Sequence, residues 1–135
     1  MFVNPNKSKG FTLIELLVTI SILAVLSTIG MLLYQGVLAK TRDATRKNDL
    51  NKLASALEIY YQENNNYPNN NSFSNEIAPK LSDNTIPKDP KTGESYYYAG
   101  TDTTFTLCAT LENPETNNPA PAGCTAGYNY GVVPK

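Results

Sequence analysis

The sequence of 135 residues predicts an α+β protein in which one long N-terminal helix packs on a small antiparallel sheet of two to four strands. Three observations predict this fold. The run from Leu16 to Ala39 contains 24 residues without a charge. Apolar residues then recur at helical spacing between Leu50 and Tyr61. Late in the chain, Thr104–Leu111 alternates between apolar and polar side chains, as a half-buried strand does.

The uncharged run predicts a helix that spans a membrane. At about 1.5 Å per residue it reaches roughly 36 Å, which exceeds a hydrocarbon core of about 30 Å. A cleaved secretory signal would have an apolar region of only about 7–15 residues, so it fits this run poorly, whereas a plain membrane anchor remains open. An anchor does not require Glu15. A carboxylate at the start of a bilayer helix is costly, although it can complement the helix dipole.

The helical pattern continues beyond the uncharged run. One apolar stripe is formed by Leu50, Leu53, Ala54, Leu57 and Tyr60 or Tyr61. Asp43 and Lys47 are spaced for an i, i+4 pair on the polar side. Turn-forming residues arrive only at Asn64–Pro68. We therefore predict one helix of about 52 residues, from about Thr12 to Glu63, whose first half is apolar all round and whose second half is amphipathic.

A small outer domain is predicted after this helix. We expect a short helical turn at Glu76–Leu81 and a hairpin loop at Gly100–Thr103. The predicted strands are Ser95–Ala99, Thr104–Leu111 and Tyr128–Val133. Because two or three strands are not stable alone, the face with Phe105 and Leu107 should pack on the apolar stripe of the helix.

The two cysteines, Cys108 and Cys124, both lie in this outer domain. They would form one disulfide in an exported domain and two free thiols in a cytosolic protein. The membrane segment favours export, so we predict the disulfide. Such a bridge closes a loop of about 15 residues and would contribute about 3 kcal/mol in the chain-entropy model. Strand alternation places Cys108 opposite the apolar face, which suits a bridge to an overlying loop.

The residues around Glu15 carry a resemblance to a known family. The stretch from Lys9 to Val18 reads KGFTLIELLV, and it resembles the N-terminal signature of type IV prepilins and of the pseudopilins of type II secretion. The shared features are a short basic leader, a glycine, an aromatic residue and a glutamate inside an apolar run. The close resemblance covers about residues 7–40. The chain departs from many family members because it has no proline between Pro5 and Pro68, so that Gly30 and Gly36 are the weak points of the helix.

The resemblance implies a sequence of maturation steps. A prepilin peptidase would cut between Gly10 and Phe11 and would methylate the new amine of Phe11. Glu15 would then pair with that amine on a neighbouring subunit and set the register of assembly, because pairing offsets the cost of a charge in an apolar core. The basic residues Lys40, Arg42, Arg46 and Lys47 have two interpretations, contact with lipid headgroups or pairing with acids of adjacent subunits.

The implied organisation has four parts. Residues 1–10 form the leader, 11–39 the transmembrane and filament-core helix, 40–63 the amphipathic helix, and 64–135 the outer domain with its small sheet. The leader would stay in the cytoplasm and the C-terminal domain outside the cell (inner) membrane, with an extracellular or periplasmic filament after assembly. The expected partners are further copies in a helical filament, the prepilin peptidase, a pilus or secretion assembly platform and, before assembly, membrane lipid.

The function remains open between a pilus subunit and a major pseudopilin of type II secretion, with a membrane-anchored adhesin or DNA-uptake binding module as the third hypothesis. The sequence has no histidine and no glycine-rich phosphate loop, so we predict no enzymatic activity. A net charge of −1 gives no reason to predict direct nucleic-acid binding. No cofactor is predicted.

The stretch from Pro87 to Gly93 is similar to the loop before the sheet in major pseudopilins. Those proteins often bind calcium there, so the resemblance suggests a calcium site. The candidate oxygen ligands are Asp83, Asp89, Glu94 and Asp102. Their spacing is not that of an EF-hand. We therefore favour the interpretation that these four are solvated loop acids.

Overall fold

The computed structural model of the chain describes residues 10–114, 120–125 and 127–134, apart from the side chain of Leu32. The leader residues before Gly10, among them Lys7 and Lys9, lie outside the described residues. The chain divides into two compact units, residues 1–37 and 38–135, which we describe separately. The observed architecture is a long N-terminal helix plus a small three-stranded antiparallel sheet, and the predicted α+β class is confirmed.

Helix α1 spans Leu13–Asn64 and has 52 residues, close to the predicted range. It contains an 18-residue stretch with a mean hydropathy of 2.5, none of which is buried, so α1 is long and apolar enough to cross a membrane. The helix ends where the asparagines begin. Asn65 has a φ of 56° and donates its N–H to the carbonyl oxygen of Tyr61 (2.8 Å). Asparagine tolerates this left-handed conformation, which explains why α1 stops here.

A short helix, α2 (Phe73–Ile77), follows and runs into one 3₁₀ turn at Ala78–Lys80. The predicted turn at Glu76–Leu81 is therefore present but begins earlier. The side chain of Asn69 accepts the backbone N–H groups of Asn71 and Ser72 and so forms a turn just before α2.

The three strands are β1 (Tyr97–Gly100), β2 (Phe105–Ala109) and β3 (Tyr130–Val132), in the spatial order β1-β2-β3. Both pairings are antiparallel. The predicted hairpin loop closes through the N–H of Thr101, which donates to the carbonyl oxygen of Thr104 (2.8 Å). Each strand is shorter than its predicted range, and β1 ends at Gly100, which the sequence had placed in the hairpin loop.

The core of the outer unit lies between α1 and the sheet. Leu50, Leu53 and Leu57 of α1 belong to the same buried cluster as Phe105 and Leu107 of β2. The predicted packing of the sheet on the helical stripe is thus confirmed. Full burial of each leucine contributes about 1.5–3 kcal/mol relative to exposure, so this contact is the main source of stability for an otherwise marginal sheet.

The disulfide between Cys108 and Cys124 is present, as predicted, with a Cα–Cα distance of 5.8 Å. It ties the loop after β2 to the sheet. Gly131 of β3 lies against this bridge, and a Cβ there would stand 2.8 Å from the Sγ of Cys124 and 2.7 Å from the carbonyl oxygen of Leu107. Glycine at this position is therefore what allows the bridged loop to pack closely on the sheet.

Candidate functional site

The N-terminus of α1 carries a reciprocal hydrogen-bonded pair. The Oε2 atom of Glu15 accepts the backbone N–H of Thr12 (2.9 Å) and its hydroxyl (2.7 Å). In return, the N–H of Glu15 donates to the Oγ1 of Thr12 (3.3 Å). This is a capping box, in which a Thr and the Glu three residues later satisfy the free donors of the first helical turn. Glu15 therefore has a structural role within its own chain, besides the assembly role that the resemblance implies.

The surface around this cap is open and apolar. Phe11 is 85% exposed, and a Cβ built on Gly10 would meet no described atom within 4 Å. Glu15 lies with Phe11, Ile14 and Val18 around a shallow depression. The Gly10–Phe11 peptide bond is thus accessible in the described chain. A carboxylate on such a surface can accept an amine that arrives from another molecule, and burial of this surface would strengthen the pair.

A second polar constellation, the ionic cluster, joins α1 to two loops of the outer unit. Arg46 is its centre, with a side chain only 3% exposed. Its guanidinium donates to Asp43 (2.8 Å), to both carboxylate oxygens of Asp89 (2.6 and 3.1 Å) and to Glu112 (3.1 Å). Three carboxylates from three chain segments therefore share one cation, and the planar fork of arginine matches this geometry.

Further contacts complete the ionic cluster. Arg42 binds Glu112 through two hydrogen bonds (2.6 and 2.8 Å), and Lys91 also donates to Oε2 of this carboxylate (2.8 Å). Asp43 accepts the backbone N–H groups of Glu112 (2.8 Å) and Asn113 (2.9 Å). The segment that follows β2 is thus held on α1 by both charge and backbone hydrogen bonds.

The electrostatics of the ionic cluster keep its acids ionised. Hydrogen bonds from Arg46 hold the pKa of Asp89 well below its ordinary value, and hydrogen bonds from Arg42 and Lys91 do the same for Glu112. Burial of Asp43 by itself raises its pKa, but the donors of Glu112 and Asn113 outweigh this effect and lower it overall. Each acid therefore carries its negative charge throughout the neutral pH range.

The ionic cluster corrects two expectations from the sequence. Arg42 and Arg46, for which the sequence suggested lipid headgroups or acids of adjacent subunits, pair with acids of their own chain. Asp43 does not lie on the polar side of the helix with Lys47; it is only 6% exposed and pairs with Arg46. The helix sequence could reveal only the Asp43–Arg46 spacing, because Asp89 and Glu112 lie 43 and 66 residues from Arg46.

The four calcium candidates are not assembled into a site. Asp89 is already bound to Arg46, and Asp83 accepts the N–H of Thr85 (3.4 Å). In the part of the chain that the structure describes, no group of three or more acidic, Cys or His side chains could hold a metal ion. Asp83, Asp89, Glu94 and Asp102 are therefore not gathered into one group among the described residues, and the alternative that they bind calcium stays untested.

Comparison with known families yields two matches. Residues 5–31 match the prokaryotic N-terminal methylation motif, and residues 33–126 match the type IV minor pilin ComP, DNA uptake sequence receptor. The first match covers Gly10, Phe11 and Glu15, and the second covers the ionic cluster, strands β1 and β2 and both cysteines, whereas β3 lies beyond it. No curated protein sequence and no solved structure shows a significant match.

Proposed function

Because this chain belongs to the type IV pilin family, we propose that it is a structural subunit of a type IV pilus-like filament. In this proposal it is stored in the cell membrane, cut between Gly10 and Phe11, methylated at Phe11 by a prepilin peptidase, and polymerised through the first half of α1. One observation carries the proposal: the first half of α1 exposes a predominantly apolar surface that carries one carboxylate, Glu15, four residues after Phe11.

The apolar surface needs a partner in each state of the protein. The large apolar side chains that the structure describes between Leu13 and Val37 are 48–88% exposed, which is far more apolar surface than a soluble monomer normally presents. Lipid can cover this surface before assembly, and the helices of other copies can cover it in a filament. A plain anchor would require only the first of these states and would not require a carboxylate.

Glu15 can accept an amine from another copy in the filament while it continues to cap the N-terminus of α1. Among the described residues, its Oε2 atom makes both contacts with Thr12, so Oε1 remains available to a second donor. The amine that cleavage would create on Phe11 of another copy is such a donor. Their pairing neutralises two charges that are each costly in an apolar environment, and it specifies one axial position for the incoming subunit.

The test separates the helix cap from the charge. Glu15→Gln keeps an oxygen that can accept from Thr12 but removes the negative charge, and Glu15→Ala removes both. We expect both variants to insert into the membrane and both to give few filaments by electron microscopy, while Ser21→Ala, a polar-to-apolar change on the same helix, assembles normally. Filaments of normal yield from Glu15→Gln would rule out the charge pairing.

The placement of the outer unit follows from the same proposal. The leader would remain in the cytoplasm and residues 64–135 outside, and the disulfide between Cys108 and Cys124 supports this because such bridges persist in oxidising compartments. The family consists of structural pilins, and we assign no catalytic step to this chain. The bond cut in maturation would be cleaved by the peptidase.

DNA binding is the second candidate, because the family matched by residues 33–126 is described as a DNA uptake sequence receptor. The charges of the ionic cluster do not favour it: Arg42, Arg46 and Lys91 are neutralised by acids of the same chain. Titration of the detergent-solubilised protein with labelled duplex DNA at two salt concentrations tests this candidate. Binding that persists at the higher salt concentration would support a receptor role, whereas binding that is lost there would indicate sequence-independent phosphate contacts.

A major pseudopilin of a type II secretion system would share the processing and polymerisation steps. Deletion of the gene distinguishes the two machines. Loss of surface filaments with normal export of secreted enzymes would support the pilus subunit that we propose. Loss of enzyme export without loss of surface filaments would instead support a pseudopilin.

A further inference from the structure

A groove of about 540 Å³ lies between α1 and the segment that follows the 3₁₀ turn. Asn48, Asn51 and Ser55 line it from the helix, and Leu81, Pro87 and the charged residues Lys80 and Asp83 line it from the opposite side. Its volume lies in the range of specific binding sites, and its lining mixes amides and hydroxyls with apolar groups. All of these residues belong to the outer unit.

The helix wall of the groove is part of a longer exposed face with an unusual composition. Between residues 41 and 59, α1 has eight exposed positions, and seven of them are uncharged. We call these eight positions the neutral face: Thr41, Ala44, Thr45, Asn48, Asn51, Lys52, Ser55 and Ile59. Water-facing helix positions usually carry charged side chains, and Asn, Ser and Thr form helices less well than Lys or Glu.

The acids of this stretch of α1 all lie away from the neutral face. Asp43 and Asp49 are buried, and Asp49 accepts the hydroxyl of Tyr96 (2.9 Å). Glu58 is half-buried and accepts the hydroxyl of Tyr67 (3.2 Å). The neutral face thus combines few charges with one exposed large apolar side chain, Ile59, at 45% exposure.

We propose that the groove and the neutral face form a contact surface for a second copy of this chain in the filament. The inference rests on the proposed function, and continuity supports it, since the neutral face lies on the same helix α1 whose first half would pack against other copies. A helical polymer needs a surface that repeats in every subunit. A surface with one charge in eight positions can repeat without accumulating like charges, and Ile59 provides an apolar anchor.

Other occupants fit this chemistry less well. Nucleic acid and anionic headgroups both require several cations. Lys52 is the single charged residue of the neutral face, and Lys80 in the groove lining is already paired with Glu63. A second copy of the chain requires no charge, and small neutral side chains on one helix let another backbone approach closely.

The experiment uses the full chain in cells that assemble it. Asn51→Glu introduces a charge on the neutral face while improving helix propensity, so the outer unit should remain folded. Asn71→Glu is the matched control, because it makes the same exchange at an exposed position outside α1. A photo-crosslinking amino acid at Asn51 reports which molecule lies against the groove. Melting temperature, filament yield and the mass of the crosslinked product are measured.

We expect Asn51→Glu to lower filament yield at least tenfold with an unchanged melting temperature, Asn71→Glu to assemble normally, and the crosslinker at Asn51 to capture a second copy of the chain. Normal filaments from Asn51→Glu, or crosslinks only to DNA, lipid or a different protein, would overturn the inference while leaving the proposed function intact. Absence of filaments from the unmodified chain would instead contradict the proposed function itself.

Discussion

Replacement of Arg46 by methionine is the most informative perturbation of the outer unit. Methionine has a similar length but no charge, so Arg46→Met removes the shared cation of the ionic cluster with little change in volume. Three carboxylates then lose a donor at the same time. Because the guanidinium is almost fully buried, water cannot replace it without a local opening of the structure.

The expected loss of stability depends on the hydrogen bonds that each carboxylate retains in Arg46→Met. Removing one partner of a buried ion pair costs about 3–5 kcal/mol. Asp43 keeps the N–H groups of Glu112 and Asn113, and Asp89 keeps those of Lys91 and Thr92, so no acid is left without a donor. We therefore expect the lower end of the range, about 3 kcal/mol. For a unit of this size, that corresponds to a fall in Tm of roughly 12–24 °C.

The assay is thermal unfolding of the full chain in detergent, followed by near-ultraviolet circular dichroism. Eight of the nine tyrosines lie beyond residue 59, so this signal reports mainly on the outer unit. Lys80→Met is the matched control. The ion pair of Lys80 with Glu63 is exposed to water, and such pairs contribute at most about 1 kcal/mol.

A large effect of Arg46→Met with a small effect of Lys80→Met would support the structure of the ionic cluster. If the two variants melt within a few degrees of each other, Arg46 does not bind three carboxylates in the folded protein, and our account of how the loops are attached to α1 is wrong.

Three further predictions concern the outer unit. Asp89 and Glu112 have lowered pKa values in the folded protein, so their ionised forms stabilise the fold fully above about pH 5 and lose this effect as the pH falls further. The Tm of the protein should therefore decrease below pH 5, and a Tm that does not change with pH would contradict the pairing. Replacing Cys108 and Cys124 together by serine should lower the free energy of unfolding by about 3 kcal/mol in denaturant titrations. An unchanged unfolding midpoint would show that the disulfide does not stabilise the outer unit. Addition of calcium or of a chelator should leave Tm unchanged, because Asp89 is already neutralised by Arg46, and a calcium-dependent rise would contradict this.

The sequence predicted those parts of the fold that depend on local periodicity. The length of α1 followed from the apolar run, the stripe through Leu50 and Leu57 and the asparagines that end the helix. The inward face of β2 followed from strict alternation, and the same alternation put Cys108 on the side where the structure places its bridge. In each case one repeating pattern determines both the element and the face that it buries.

The ionic cluster could not be predicted because it depends on contacts between distant segments. A basic residue followed by acids more than 40 positions later carries no local signal, and the chain fold alone decides which acid reaches Arg46. The neutral face was missed for another reason. Its residues fit an ordinary amphipathic helix, and its lack of acids becomes visible only when the structure shows that Asp43 and Asp49 are buried.

The account depends most directly on what happens at the junction of Gly10 and Phe11. Intact-mass spectrometry of the protein purified from assembled material, followed by fragmentation of the N-terminal peptide, measures this. We predict a chain that begins at Phe11 and carries a methyl group on its amine. A chain that retains residues 1–10 would contradict maturation by a prepilin peptidase and, with it, the pairing of Glu15 that the filament requires.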